Sequence, residues 1–151
     1  MIKVVEGDIL QASEDVVGHQ VNCQGVMGAG LAKQIRDKYP DIYNIYAKNC
    51  YKTHPMNLMG DILVIQIEGK HVANIFSQLN YGRKKGVRYT DYVALHTGLM
   101  HLREYAESRG LTVALPYNIG CGLAGGDWDK VYAIIDRAFK DYDVTLYRFG
   151  G

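Results

Sequence analysis

Short apolar runs alternate with longer amphipathic stretches along almost the whole of this 151-residue chain. The apolar runs are rich in β-branched residues and are predicted strands, at residues 2–5, 16–21, 61–67, 71–77, 112–115 and 144–149. The longer stretches repeat their apolar residues at helical spacing and are predicted helices, at residues 30–39, 41–49, 90–109 and 127–138. Strands that alternate with helices form a mostly parallel sheet covered on both faces. The sequence therefore predicts an α/β fold, a three-layer α/β/α sandwich.

Local signals place the ends of several of these elements. Glu68-Gly69-Lys70 separates two strand-like runs and predicts a tight hairpin in the middle of the chain. Asp41 and Thr90 are predicted N-caps of the helices that follow them. Asp127 starts the last predicted helix, and Gly110 is the predicted end of the long one.

Composition limits the class of protein. The chain is 48% hydrophobic and shows no linker or internal repeat, so residues 1–151 are expected to form a single domain. A net charge of +1 provides no global attraction to nucleic acid or membranes. Three widely spaced cysteines fit a reducing cytosol. We expect a cytoplasmic protein with no cofactor, no metal and no membrane segment, and a monomer because no coiled-coil pattern is present.

Two glycine-rich loops each follow a predicted strand and precede a predicted helix. The first glycine loop, residues 22–30, reads NCQGVMGAG, and the second glycine loop, residues 116–126, reads PYNIGCGLAGG. Backbone N–H groups in such a loop can point into a concave nest, and the helix that follows adds a partial positive charge. Two of these loops at one sheet edge could hold a pyrophosphate between them. The alternative is that the glycines only permit tight turns.

The second glycine loop also contains Gly120-Cys121-Gly122-Leu123-Ala124-Gly125, which matches the dinucleotide fingerprint G-x-G-x-x-G. That fingerprint belongs to the first strand-to-helix turn of a Rossmann domain and needs an acidic residue about 20 positions later, at the end of the next strand. Here the motif lies near the end of the chain, and Asp141 and Asp143 precede the last strand. No G-K-[ST] occurs either. Rossmann dehydrogenases and P-loop NTPases are therefore not favoured.

Three motifs together resemble the macrodomain family across essentially the whole chain. They are Gly7-Asp8-Ile9-Leu10, then Val21-Asn22-Cys23-Gln24-Gly25-Val26-Met27-Gly28-Ala29-Gly30-Leu31-Ala32, and Pro116-Tyr117-Asn118-Ile119-Gly120-Cys121-Gly122-Leu123. They are most similar to the branch of ADP-ribose-1''-phosphate phosphatases, the terminal ADP-ribose glycohydrolase, and bacterial antitoxins that remove ADP-ribose from DNA. The resemblance implies a mixed six-stranded sheet with an ADP-ribose cleft at its crest.

The resemblance also implies which residues bind the ligand. Asp8 and Ile9 would hold adenine, with Tyr147 or Phe149 against it, while the two glycine loops would hold the diphosphate and the terminal ribose. The implied ADP-ribose-binding residues are Asp8, Ile9, Asn22, Gln24, Gly25, Val26, Met27, Gly28, Ala29, Gly30, Leu31, Phe76, Ser77, Asn118, Ile119, Gly120, Cys121, Gly122, Leu123 and Tyr147.

The same branch supplies expectations about chemistry. Gln78 stands where the glycohydrolase and antitoxin members have a lysine, and Ala124 stands where the glycohydrolase has an aspartate. His19 matches a histidine of the phosphatase branch and is a candidate general acid, because an ordinary histidine pKa suits that work. Asp127 is the second catalytic candidate. The alternatives are a histidine satisfied within the sheet and a helix N-cap.

Two further groups are weighed for chemistry. Cys121 is interpreted as a packing residue rather than a nucleophile. Lys84 and Lys85, which could replace the missing lysine, lie in a predicted loop with Arg83 and Arg88 (the basic loop, residues 81–88) that we expect to be solvated.

The sequence thus predicts binding of ADP-ribose and hydrolysis of a derivative at its terminal ribose, by positioning rather than by an enzyme nucleophile. ADP-ribose-1''-phosphate is the first expected substrate, followed by acyl or ADP-ribosyl esters. A binding module without turnover is the main alternative. Removal of ADP-ribose from nucleic acid, flanked by the basic loop, is a weaker alternative function. An ADP-ribosylated protein is the macromolecular partner considered.

Overall fold

The computed structural model describes residues 1–149, so the last two positions of the predicted domain lie outside the described residues. The strands are β1 Ile2–Glu6, β2 Val16–Asn22, β3 Ile62–Ile67, β4 Lys70–Gln78, β5 Val113–Pro116 and β6 Val144–Arg148. The helices are α1 Gly30–Lys38, α2 Pro40–Lys52, α3 Pro55–Leu58, α4 Tyr92–Arg109 and α5 Trp128–Ala138, with a 3₁₀ turn at Ile9–Gln11.

The six strands form one sheet in the order β1-β6-β5-β2-β4-β3. Every neighbouring pair is parallel except β3 and β4, which form the predicted hairpin. Glu68 and Gly69 at its turn have φ angles of 50° and 79°, as a two-residue turn of the primed type requires. The predicted α/β fold and mixed six-stranded sheet are confirmed.

Helices cover both faces of this sheet because β4 is apolar on both sides. Ala73 and Ile75 pack against α4, through residues such as Leu99. Val72 packs in a separate cluster with Ile35 of α1 and Ile42 of α2. Alternate residues of one strand thus feed two cores, which is the pattern of a strand buried on both faces.

Two of the predicted helix caps are wrong by one or two positions. Asp91, not Thr90, caps α4, because its carboxylate accepts from the Ala94 N–H at 2.9 Å. The helix after residue 39 begins at Pro40, which leaves Asp41 in its first turn. Thr90 and Asp91 are adjacent and both good caps, so the sequence did not distinguish them. The N-cap of α2 is Tyr39, which makes no side-chain cap bond, and Pro40 takes the first helical position.

Other predicted ends are confirmed. Gly110 ends α4 in the left-handed conformation, with φ of 66°. Asp127 caps α5, accepting from the Asp129 N–H at 2.9 Å. The 3₁₀ turn and α3 were not predicted, because three or four residues are too few to show a periodic pattern.

Candidate functional site

A cavity of about 420 Å³ opens at the carboxyl edge of the sheet. Its wall includes Asn22, Gln78 and Pro116, which are the last residues of β2, β4 and β5. Open α/β sheets bind their ligands at this edge, and the volume is that of a small-molecule site. The cavity therefore lies where the topology leads us to expect a ligand.

The structure brings part of the predicted site together around this cavity. The predicted residues that line it are His19, Asn22, Val26, Gly28, Ala29, Gly30, Leu31, Asn118, Ile119, Gly120, Gly122 and Leu123. Those that do not are Asp8, Ile9, Gln24, Gly25, Met27, Phe76, Ser77, Cys121, Asp127 and Tyr147. Both glycine loops thus contribute to one cavity, from the ends of the neighbouring strands β2 and β5.

The first glycine loop is held in shape by the side-chain amide of Asn22. Its Nδ2 donates to the Val26 carbonyl at 2.7 Å, and its Oδ1 accepts from the Gln24 N–H at 2.9 Å. Tyr46 on α2 also donates its hydroxyl to the Asn22 carbonyl at 2.7 Å. Gln24 donates to the Leu79 carbonyl at 2.8 Å. Both amides therefore serve the loop in this structure, and their contacts with a ribose stay a prediction.

The first glycine loop ends at the N-terminus of α1, which no side chain in residues 1–149 caps. Ala29 holds the N-cap position with extended backbone, and Gly30, the first helical residue, has φ of 59°. The first N–H groups of a helix have no partner within the helix. Because residues 28–32 also line the cavity, these donors and the positive end of the helix dipole are available to an anion there.

The second glycine loop is held by backbone contacts with the basic loop and with Tyr89 and Thr90, the two residues that follow it. The Ala124 carbonyl accepts from the N–H groups of Tyr89 and Thr90 at 2.7 and 3.1 Å. A Cβ added to Gly125, which has φ of 76°, would lie 2.5 Å from the Val87 carbonyl oxygen. Only glycine fits such a position. The two loops therefore form one wall of the cavity.

His19 lies at the floor of the cavity and is 2% exposed. Asn74 fixes its tautomer: its Nδ2 donates to the Leu63 carbonyl at 3.0 Å, so its Oδ1 accepts from His19 Nε2 at 2.7 Å. His19 Nδ1 has no hydrogen-bond partner among the described residues and is left as an acceptor.

Burial lowers the pKa of His19 to about 4, partly opposed by the hydrogen bond to Asn74. His19 is therefore neutral at pH 7. The prediction that it works as a general acid with an ordinary pKa is wrong on this point. Its Nδ1 is an acceptor that is enclosed by the protein and unpaired among the described residues, so this structure does not present it to a ligand.

Asp127, the other catalytic candidate, is an exposed helix cap and does not line the cavity. Its carboxylate accepts from the Asp129 N–H, and its own N–H donates to the Tyr92 hydroxyl at 3.0 Å. The cap that the sequence offered as the alternative is thus present, and a catalytic role of Asp127 stays a prediction. The Cys121 thiol fits the predicted packing role, because burial and then the Asp127 charge raise its pKa to about 11.

The residues predicted to hold adenine lie together next to the cavity. Ile9, Leu31 and Tyr147 share one apolar cluster, and of these Leu31 lines the cavity. The Asp8 carboxylate accepts from the Leu10 N–H at 2.9 Å, and the Tyr147 hydroxyl donates to Glu14 at 2.6 Å. Both polar groups are thus engaged within the protein.

Three of the predicted binding residues do not line the cavity: Met27, Phe76 and Ser77. Met27 and Phe76 are buried core residues, and Phe76 stacks on Tyr46 with ring centres 6.0 Å apart. The Ser77 hydroxyl donates to Gln20 Oε1 at 2.7 Å. Their predicted direct contacts with ADP-ribose are not supported by these positions.

Sequence reasoning missed several lining residues. They are Gln20, Val21, Ala32, Tyr81, Gly82, Arg83, Pro116 and Tyr117. Arg83 is the cation of the basic loop that lines the cavity, whereas Lys84 and Lys85 do not line it. The available signal was position: Gln20 precedes the first glycine loop on the same strand, and the basic loop follows β4 at the same sheet edge.

In residues 1–149, none of the lining side chains is a carboxylate or a lysine. No group of three or more metal-ligating side chains is present in that part of the chain. Within the same residues, no helix combines the length and apolar character that crossing a membrane requires. The cavity therefore presents backbone donors, neutral amides, one neutral histidine and Arg83.

The chain resembles known proteins over nearly its whole length. It is 32% identical over 155 residues to a DNA ADP-ribosyl glycohydrolase of Mycobacterium tuberculosis, covering 97% of this chain and 42% of that protein. It is 30% identical over 173 residues to an ADP-ribose 1''-phosphate phosphatase of Scheffersomyces stipitis, covering 97% of each. The solved macrodomain of Mycobacterium tuberculosis DarG superposes with a TM-score of 0.81, at 29% identity over 97% of each chain.

The family model of the Macro domain matches residues 19–135. That range runs from the histidine at the cavity floor, through both glycine loops, to the last helix. Together with the six-stranded sheet and the position of the cavity, this match shows that the chain belongs to the Macro domain family.

Proposed function

We propose that this protein binds ADP-ribose in the cavity and hydrolyses a derivative of it at the terminal ribose. The observation that carries the proposal is the uncapped N-terminus of α1, which faces the same cavity as the second glycine loop. A diphosphate between them would accept from the helix N–H groups on one side and lie against loop backbone on the other. The family and the names of the two relatives support ADP-ribose as the ligand that carries this diphosphate.

The proposed orientation follows from the two ends of the cavity. Adenine would lie toward Leu31 and its apolar cluster with Ile9 and Tyr147. The terminal ribose would then lie toward Gln78 and Arg83.

The proposed mechanism is positioning. The described lining offers no carboxylate or lysine, and His19 is neutral, so a protein nucleophile or strong base is not at hand. Holding the C1'' substituent and a water molecule in a productive geometry can by itself lower a barrier substantially. Phosphate oxygens of the substrate can take the proton of the water. ADP-ribose-1''-phosphate is the substrate that this arrangement suits best.

The same lining also favours a second candidate, a module that recognises ADP-ribose or an ADP-ribosylated protein without turnover. Such a site has the hydrogen-bond donors that binding needs but lacks the general base that hydrolysis could use. The third candidate is hydrolysis on modified nucleic acid, favoured by Arg83 at the wall and by three more cations nearby, Lys84, Lys85 and Arg88.

Calorimetry with ADP-ribose, NAD and AMP tests the binding step, and release of phosphate from ADP-ribose-1''-phosphate tests turnover. Tight binding with release supports the hydrolase, and tight binding without release supports the reader. No binding of ADP-ribose would contradict both. A protein adduct trapped by borohydride during rapid turnover would contradict the positioning mechanism. Salt-dependent binding of ADP-ribosylated DNA would support the third candidate.

We also propose that the described residues fold as one domain and that the protein is a cytoplasmic monomer. Cys23, Cys50 and Cys121 are all free thiols, as is usual in a reducing compartment.

A further inference from the structure

A chain of side-chain hydrogen bonds runs beneath the wall of the cavity that Gln78 and the basic loop form. It joins Gln20 on β2, Ser77 and Gln78 on β4, Thr90 before α4, and the carbonyl of Gly120. Gln20 and Gln78 line the cavity, whereas Ser77 and Thr90 are buried behind them. Each bond has a direction, and the directions determine what the wall offers to a ligand.

The direction is set at Gly120. A carbonyl oxygen only accepts, so the Thr90 hydroxyl donates to it, at 2.7 Å. The Thr90 oxygen must then accept from Gln20 Nε2, at 2.9 Å. This places Gln20 Oε1 on the other side, where it accepts from the Ser77 hydroxyl at 2.7 Å. The Gln20 amide therefore cannot be reversed without losing its bond to Thr90.

The fixed amide of Gln20 in turn fixes that of Gln78. The second N–H of Gln20 Nε2 donates to Gln78 Oε1 at 3.0 Å. Reversing Gln78 would bring two NH₂ groups together. Gln78 Nε2 therefore faces away from Gln20, with one N–H near the Asn80 carbonyl at 3.3 Å and one N–H free of any partner in the described residues.

We propose that Gln20 is a positioning residue that makes this wall a donor surface for a phosphate group of the ligand. The Gln78 amide has a free N–H donor there, Arg83 is a further member of the lining, and the described lining carries no carboxylate to oppose an anion. A phosphate has only acceptor oxygens when ionised, so this surface matches it. Resting on the proposed function, the inference assigns preference for a phosphate at C1'' over a bare hydroxyl to the Gln20–Gln78 pair.

The probe is ADP-ribose with a C-linked phosphonate at C1'', which cannot be hydrolysed, compared with ADP-ribose itself by calorimetry. The wild-type protein is expected to prefer the phosphonate. Gln20→Met keeps the volume but frees the Gln78 amide, and we expect the preference to fall about ten-fold, as for one lost charge-assisted hydrogen bond. Gln66→Met, the same change on the exposed edge strand β3, is the matched control and is expected to leave the preference unchanged.

Further variants at Gln78 and Thr90 separate a positioning role of Gln20 from a general loss of structure. In a Gln78→Ala background, Gln20→Met is expected to have no additional effect on the preference, because Gln20 acts through Gln78. Thr90→Val removes the bond that orients Gln20 and is expected to lower the preference too, while Thr90→Ser restores it. Thr90→Val and Thr90→Ser also serve as the test if the Gln20→Met protein does not fold.

The outcomes are separable from those for the proposed function. If ADP-ribose binds but the wild-type protein shows no preference for the phosphonate, the inference is wrong and the proposed function stands. An unchanged preference in folded Gln20→Met or Thr90→Val, or additive losses with Gln78→Ala, also overturns it. If neither ligand binds, the proposed function itself fails.

Discussion

The two glycine loops look alike in sequence but end in different ways. The first runs into α1, whose N-terminus has no side-chain cap within residues 1–149, whereas the second runs into α5, which Asp127 caps. A carboxylate at a helix N-terminus occupies the place where an anion would bind. The first loop therefore offers helix N–H groups to a ligand, and the second offers a shaped backbone wall. Similar glycine spacing does not imply the same physical role.

The largest effect on ADP-ribose binding is expected when α1 is given the cap that α5 has. The backbone of Ala29 is extended, with φ of −151° and ψ of 159°, which suits an N-cap aspartate. Ala29→Asp is expected to weaken ADP-ribose binding about 100-fold, because the new carboxylate takes the N–H donors and repels the diphosphate. The free energy of unfolding is expected to rise by up to about 1 kcal/mol.

Calorimetry and urea unfolding measure these two effects. Ala29→Asn is the matched control, since it can cap without a charge and should cost less affinity. Unchanged binding in a folded Ala29→Asp protein would show that the diphosphate does not lie at this helix end.

The strands that lead into the loops differ in their response to pH. β5 carries no ionisable residue, whereas β2 carries His19, whose pKa burial lowers to about 4. The unfolded chain binds a proton near pH 6.5 and the folded chain does not, so stability is complete above pH 6.5 and falls as pH drops toward 4. The loss is expected to be about 3 kcal/mol.

Urea unfolding between pH 7.5 and 4.5 checks this, with His19→Gln as the variant that should lose most of the dependence. Any step in turnover near pH 6.5 should persist in His19→Gln, because the phosphate monoester of the substrate itself titrates at about pH 6. A rate that falls as pH rises through 6.5 in the wild-type protein, and not in His19→Gln, would restore the general-acid role.

The second glycine loop depends on close backbone contact, and Gly125→Ala tests it. The added Cβ would lie 2.5 Å from the Val87 carbonyl oxygen at a φ of 76°. We expect a loss of about 2 kcal/mol in the free energy of unfolding, with weaker ADP-ribose binding. Gly122→Ala is the matched control for stability, because nothing lies within 4 Å of its added Cβ. Equal stability of the two variants would argue against the close contact between Gly125 and the Val87 carbonyl.

The smallest effect is expected at the cap of α5. Asp127→Ala should lower the free energy of unfolding by about 1 kcal/mol, while Asp127→Asn, which can still cap, should be nearly neutral. Neither change should affect phosphate release per folded molecule, because Asp127 lies outside the cavity lining. A large loss of turnover in the folded Asp127→Asn protein would return this carboxylate to the reaction.

The sequence predicted the elements better than the directions of side chains. Strand and helix positions depend on local periodicity, and Gly110 and the Glu68-Gly69 turn need backbone angles that few residues adopt. Whether Asp127 faces the cavity or its own helix depends on tertiary packing, as does the burial that lowers the pKa of His19. No local pattern contains that information.

The missed lining residues have the same explanation. Gln20 acts through Thr90 and Gln78, which are 70 and 58 positions away along the chain. Arg83 lines the cavity from the basic loop, and Tyr89 and Thr90, which follow that loop, donate their N–H groups to the Ala124 carbonyl. Such contacts exist only once the sheet has assembled.

The most direct test of the account is an NMR titration that follows backbone amides at the two helix ends. With ADP-ribose, the N–H resonances of residues 30–32 at the start of α1 are expected to shift strongly, and those of residues 128–130 at the start of α5 to change little. Adenosine, which lacks the diphosphate, should leave both sets nearly unchanged. Strong shifts at residues 128–130 with none at residues 30–32 would contradict the proposal that the uncapped end of α1 binds the diphosphate.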